Sequence, residues 1–306
     1  MTNSIVRSSA MMGTVVTMRI NLPDDSGDTR AAGEAALGEA MHWFAHVEAT
    51  CSRFEPESEL SILSRNAGHP VLVSELLYSV LLVAVGVAER SEGAFDPTVG
   101  DAMVARGVAR NFRSGALVDG VAPAGGGSSF RDVVLASEPR TVTLRRPLSL
   151  DLGGVAKGMA IDLAARVLRP CASFSIDAGG DVYVGGCNAR GEPWSVGIRH
   201  PHRPDRMIAT VPVADTAVCT SATYERGEHL VDPRAARAHA MSAVDRLASV
   251  TVVAPSAMVA DALATAAFVL GAAEGPAFLQ REGVEGLLVR RDGGVVTIPG
   301  LAGRLT

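Results

Sequence analysis

The chain is poor in several features that mark functional classes. It has no long basic run, and its net charge is −5 over 306 residues, which argues against non-specific nucleic-acid binding. Its four cysteines, Cys51, Cys171, Cys187 and Cys219, are scattered and form no C-x-x-C pair, so no zinc knuckle or dithiol redox motif is indicated. They read as reduced thiols of a cytoplasmic protein. No G-x-S-x-G occurs, which leaves serine hydrolysis without support. The apolar stretch Val80 to Ala88 is interrupted by Gly86 and falls short of the ~20 residues a spanning helix needs. The segment Met1 to Arg7 carries no apolar core of signal-peptide type. The expectation is a cytoplasmic location without stable membrane association. No internal repeat of fixed period is present.

What remains is a chain with 47% hydrophobic and 20% charged residues, the balance of a folded globular protein. Apolar periodicity predicts a strand over Ala10 to Leu22 and helices over Thr29 to Cys51, Glu57 to Asn66 and Ser74 to Arg90. Ser58 and Gly68 bracket the second of these helices as cap residues. Gly120 to Phe130 reads as a loop or insertion. The second half is richer in strands: Ser173 to Ile176, Asp181 to Val184, Trp194 to Ile198, Met207 to Val213 and Ala248 to Val253. A helix then runs from Pro255 or Ser256 to about Leu270, and Gly286 to Ile298 predicts a hairpin turning at Asp292-Gly293-Gly294. Strands and helices do not alternate regularly. The expected fold class is therefore α+β, as one domain over residues 1–306.

The most informative run is Asp151-Leu152-Gly153-Gly154-Val155-Ala156-Lys157-Gly158, set between the strand Thr141 to Leu144 and a helix over Ile161 to Leu168. A glycine pair admits close backbone approach, a helix N-terminus presents unpaired N–H groups, and a lysine adds positive charge. A phosphate-bearing ligand fits that combination. Asp261 and Thr265 stand four apart on a helix, which places a carboxylate and a hydroxyl on one face. Both are hard oxygen ligands suited to Mg²⁺. The plainer alternative is an Asp favoured by the helix dipole and a Thr bonding back to a carbonyl. Thr220-Ser221-Ala222 and His229-Leu230-Val231-Asp232 form a further polar cluster, in which a histidine of near-neutral pKa could take a proton from a hydroxyl. His42 and His46 have i, i+4 spacing without a third ligand and read as an ordinary helix face. His200-Pro201-His202 reads as a strand-end turn. Gly179-Gly180-Asp181 reads equally as a hairpin turn or a ligand contact.

Taken in order, these runs resemble the ApbE family, the FAD:protein FMN transferases. The resemblance begins at Met12-Gly13-Thr14 and continues through Ser52 to Leu60, Gly93 to Gly100, Asp151 to Gly158, Ser175 to Asp181, His229 to Arg234 and Ala260 to Thr265. It implies a single-domain ApbE or T-fold-like architecture with mixed or antiparallel sheets and packed helices. It implies FAD as substrate and Mg²⁺ held by Asp261, Thr265 and the carbonyl of Gly154. FAD contacts would come from Met12, Phe54, Ala94, Phe95, Asp96, Asp151, Lys157 and Val231, with His229 as the catalytic histidine. The implied reaction joins FMN to a Thr or Ser hydroxyl of an acceptor flavoprotein and releases AMP. Hydrolysis of FAD to FMN and AMP, and FAD binding without catalysis, are the alternatives. Ala222 replaces the glycine of the family's Thr-Ser-Gly. Alanine does not take positive φ cheaply, so this turn is expected to differ. Asp232-Pro233-Arg234-Ala235-Ala236 likewise lacks the family's Thr and Gly.

Overall fold

Serine caps set where most of the helices start. The computed structural model describes residues 3–105, 127–222 and 246–306. Within them, Ser26, Ser58, Ser74 and Ser256 each accept a hydrogen bond from the backbone N–H three residues on. They open α1 (Gly27–Cys51), α2 (Glu59–Arg65), α3 (Glu75–Arg90) and a last long helix, Ala257–Arg281. Between α3 and that last helix lie α4 (Gly100–Ala105) and α5 (Ala156–Leu168), so the last helix is α6. The α6 ladder breaks at Gly271 (φ 78°, ψ −173°), one residue past the predicted end, and helix resumes to Arg281. By length and composition α6 could cross a membrane, but 67% of its most apolar window is buried inside the fold. It is the core helix.

The strands are β1 (Ser4–Met11), β2 (Thr14–Asn21), β3 (Pro70–Leu72), β4 (Val133–Ala136), β5 (Thr141–Leu144), β6 (Ser173–Ala178), β7 (Asp181–Gly186), β8 (Trp194–His200), β9 (Arg203–Val213), β10 (Thr216–Ala222), β11 (Leu247–Ala254), β12 (Glu285–Arg290) and β13 (Val295–Thr297). Eight form one antiparallel sheet in the order β1-β2-β6-β7-β10-β11-β12-β13. A second sheet has the order β3-β5-β4, and β8 pairs with β9. The α+β class is met, with antiparallel pairing throughout the described ladders.

The strand predicted over Ala10 to Leu22 is instead the end of β1, a turn and β2. Met12 and Gly13 both have positive φ (51° and 74°), the backbone a two-residue hairpin needs. Apolar alternation resumes in register beyond the turn and so conceals it. Ala222 sits extended at the end of β10, paired with Ser249. The alanine that replaces the family's glycine thus continues a strand and is spared positive φ. Most of the loop read over 120–130 lies outside the described residues.

The large sheet is covered on both faces, which is why every residue of β11 is buried. Val250, Val252 and Leu288 lie on the face that packs against α6. Their neighbours Val253, Leu287 and Val289 face the other way and cluster with Ile198 and Val211 of the β8–β9 hairpin and with Leu301 near the end of the chain. The helical layer also encloses two thiols. Burial and nearby Glu59 push Cys51 up to about 12, and burial holds Cys219 well above the usual thiol range. Cys187 is exposed. Iodoacetamide at about pH 8 is therefore expected to label Cys187 in the native protein and to reach Cys51 and Cys219 only after denaturation. Mass spectrometry of tryptic peptides reads the outcome, and native labelling of Cys219 would contradict the packing of β10 on α6.

Candidate functional site

The site forms where α5 meets α6. Helix α5 starts at Ala156 with Val155 at its cap position, and no side chain caps it, unlike the serine-capped helices. The Leu152 carbonyl takes the N–H groups of Val155 and Ala156, and Val155 takes that of Met159. Among the described residues no backbone N–H reaches the Gly154 carbonyl. Gly158 lets the two helices touch: a Cβ there would lie 2.5 Å from the Ala257 carbonyl oxygen and closer still to the Met258 Cα. Asp162, one turn further along α5, completes the join. Its carboxylate accepts from the Ser256 hydroxyl (2.6 Å) and from the backbone N–H groups of Ala257 (2.7 Å) and Met258 (3.1 Å). Burial pushes the Asp162 carboxyl up, against the pull of those donors.

This join fixes the separation of the polar groups that follow on each helix. Lys157 Nζ lies 3.3 Å from an oxygen of Asp261 and forms a closer ion pair with Asp181. All three side chains are largely buried, at 13%, 8% and 3% exposure. One turn beyond Asp261, the Thr265 hydroxyl is 3.0 Å from that of Ser221 at the end of β10. Gly154 faces the same threonine: a Cβ at Gly154 would sit 3.3 Å from Thr265 Oγ1 and 3.1 Å from the Phe95 ring. Asp261, Thr265, Gly154 and Lys157, which lie on separate stretches of the sequence, are thus brought together in one place.

The other predicted contacts arrange around this group. Phe95 abuts Gly154, and its neighbour Ala94 is buried. Asp96 is buried and accepts from the N–H (2.8 Å) and hydroxyl (2.7 Å) of Thr98 and from the Phe130 N–H (3.0 Å). Burial raises its pKa against those hydrogen bonds. Asp96 therefore braces its own loop with both carboxylate oxygens. Asp151 pairs with Arg53 at 2.9 Å, takes the Gly153 N–H at 2.8 Å and donates its own N–H to the Pro97 carbonyl. Phe54 lies beneath the same arginine, whose guanidinium is 5.0 Å from the ring centre. Met12 occupies the β1–β2 turn and donates its N–H to Glu48 of α1 at 3.1 Å. That turn leans on the β6–β7 turn, since Gly179 packs against Thr14 so closely that no Cβ would fit. Val231 and His229 lie outside the described residues.

Asp181, which the sequence allows equally as a hairpin-turn residue or a ligand contact, pairs with Lys157. It opens β7 directly after Gly179 and Gly180, both at positive φ (67° and 94°), so the hairpin itself aims it at Lys157. Its other oxygen accepts the Thr220 N–H at 2.9 Å. The available signal was the carboxylate following two glycines. It lacked a partner in sequence because Lys157 is brought in by a different element. His42 and His46 stack 6.3 Å apart on α1, and His200 and His202 flank the β8–β9 turn; neither pair joins the site.

The family model described as the ApbE family matches residues 12–288. The FAD:protein FMN transferase of Treponema pallidum is 32% identical, over 98% of this chain and 88% of its own length. That of Haemophilus influenzae is 28% identical over 97% and 89%. Among solved structures, the ApbE protein of Thermotoga maritima superposes with a TM-score of 0.81 at 26% identity, covering 99% of both chains. The flavin transferase ApbE of Vibrio cholerae gives 0.82 at 24% identity, over 99% of this chain and 100% of that one, a likeness of fold. The matched family span holds both the Gly-Gly-x-x-Lys turn on α5 and the Asp261–Thr265 pair on α6, and the chain belongs to the ApbE family.

Proposed function

We propose that this protein transfers FMN from FAD to a Thr or Ser hydroxyl of an acceptor flavoprotein, with Mg²⁺ bound, and releases AMP. The observation that carries this reading is the convergence of Gly154, Lys157, Asp261 and Thr265 at the open N-terminus of α5, in a chain whose relatives are named FAD:protein FMN transferases. The donor set fits the metal. Among the described residues no three His, Cys, Asp or Glu side chains cluster as ligands. One carboxylate, one hydroxyl and one carbonyl are instead available, all hard oxygens. That limited set suits Mg²⁺, which keeps waters and substrate phosphate oxygens in its shell. When bound there, Mg²⁺ would neutralise phosphate charge.

The chain's own residues supply the rest. Lys157 stands between Asp181 and Asp261, and the uncapped N–H groups of α5 favour an anion. Phe54 and Met12, both partly exposed, offer apolar surface to the ring systems of FAD. In the reaction an acceptor hydroxyl oxygen bonds to the FMN phosphorus, the P–O bond to AMP breaks, and the hydroxyl proton passes to a base. His229 is assigned that role. His229→Ala is expected to slow transfer by about 10²–10⁴-fold with FAD still bound. Flavin fluorescence on the acceptor after electrophoresis, beside FAD binding by fluorescence quenching, checks it. An unchanged rate removes His229 from the mechanism.

The whole reading is tested by incubating the protein with FAD, Mg²⁺ and a flavoprotein acceptor. Covalent flavin on the acceptor with stoichiometric AMP is the expected result. AMP with free FMN in the absence of acceptor would establish hydrolysis instead, and FAD binding without AMP would establish a storage role.

A further inference from the structure

We propose that Asp181 is a positioning residue that holds and neutralises the Lys157 ammonium, so that Asp261 keeps its charge available for a divalent cation. This rests on the reading of Asp261 as a cation ligand. The geometry supports it in two ways. Lys157 sits between two carboxylates and is closer to Asp181 than to Asp261, from which it is 3.3 Å away. Asp181 is also anchored on its far side. Its second oxygen takes the Thr220 N–H, and β7 pairs with β10 through Thr216, Ala217 and Val218. The aspartate is therefore held by the sheet, whereas Lys157 has a flexible four-carbon stem.

Without that anchor, the nearest counter-charge for the ammonium among the described residues is Asp261. An ammonium settled on Asp261 would compete with a cation for the same oxygens, in surroundings where charge interactions are stronger than in water. Asp181 thus decides which carboxylate the lysine claims. The same strand serves the second candidate ligand: Ser221, next to Thr220, bonds the Thr265 hydroxyl at 3.0 Å. By accepting the Thr265 proton, Ser221 would leave the threonine lone pairs turned toward the cation. Strand β10 in this way orients both ligand-bearing positions of α6, one through Asp181 and Lys157 and the other directly.

The test is equilibrium binding of Mn²⁺, as a probe for a divalent cation, followed by electron paramagnetic resonance on protein without FAD. Asp181→Asn is expected to weaken binding about tenfold or more. Adding Lys157→Met to that variant removes the competing ammonium and is expected to restore affinity toward that of the wild type. A merely structural role for Asp181 would not produce that rescue. Lys157→Met alone is expected to bind Mn²⁺ more tightly than the wild type, and this variant serves if Asp181→Asn does not fold. Unchanged affinity in Asp181→Asn, no rescue in the double variant, or no gain in Lys157→Met would each overturn the proposal. Asp261→Asn separates the two levels. Loss of Mn²⁺ there, with unchanged binding in Asp181→Asn, overturns the role of Asp181 alone. Retention of Mn²⁺ in Asp261→Asn overturns the ligand assignment beneath it.

Discussion

Asp261→Ala is expected to reduce flavin transfer by roughly 10³-fold or more while leaving the protein folded. Asp261 supplies the only carboxylate in the candidate ligand set; Thr265 and Gly154 contribute neutral oxygens. Removing it takes away the charge that would draw a divalent cation out of water, and a hydroxyl and a carbonyl do not replace that attraction. The fold should tolerate the change for a specific reason. Deleting one member of a buried ion pair is costly when the other is left without a partner. Here Lys157 retains Asp181, so no orphan charge is created. Alanine is also compatible with a helix already dense in alanine, from Ala257 and Ala260 through Ala262, Ala264, Ala266 and Ala267. The measurement is AMP release by chromatography together with flavin bound to acceptor, at several Mg²⁺ concentrations, beside thermal unfolding by circular dichroism. A variant within tenfold of wild-type activity would remove Asp261 from the site. A variant that loses activity only because it unfolds would show it in the melting curve.

The legible parts of this protein are those in which chemistry and local structure share one stretch of chain. Asp151 to Gly158 reads as a phosphate-favouring turn because glycines, helix start and lysine are contiguous, and the structure confirms an uncapped helix start there. Ser58 and Ser74 announce their helices for the same reason, and the helix end predicted near Leu270 is a break at Gly271 beyond which helix resumes. Parts that depend on distant partners are silent. Asp181 looks like any residue after a glycine turn until the sheet carries it to Lys157. Asp162 reads as a helix residue, yet its carboxylate takes the first backbone N–H groups of a helix that begins 95 residues later in the chain. The β1–β2 hairpin escapes detection because Met12 bears no mark of its left-handed backbone; only Gly13 beside it does. In each case the missing information is tertiary: a partner supplied by another element, or a conformation imposed by strand pairing.

Gly158 carries the second large expectation. Gly158→Ala is expected to lower stability by about 3 kcal/mol, as overpacking of a well-filled interface does, and to lower Tm by roughly 6–12 °C. The cause is the nature of the obstruction. An alanine Cβ would press on the Ala257 carbonyl oxygen, 2.5 Å away, and on the Met258 backbone. These are backbone atoms of the first turn of α6, and Asp162 holds that turn in place. They cannot rotate aside as a side chain would, so the helices must separate. Gly154 is the useful contrast, since a Cβ there would meet the Phe95 ring and Thr265 hydroxyl at 3.1 and 3.3 Å, both on side chains that can yield. Separation of α5 from α6 also acts on the chemistry. Lys157 is the residue before Gly158, and Asp261 lies one turn past the obstructed backbone, so the 3.3 Å between them would widen. A misplacement of about 1 Å can cost about 10²-fold in rate, and transfer by Gly158→Ala is expected to fall by that order even where the variant is fully folded. Unfolding in urea, and transfer assayed well below the variant's Tm, separate the two effects. Wild-type stability in Gly158→Ala would show that the helices are not in contact at this glycine. Lost stability with undiminished transfer would show that the helix contact does not set the geometry of the site.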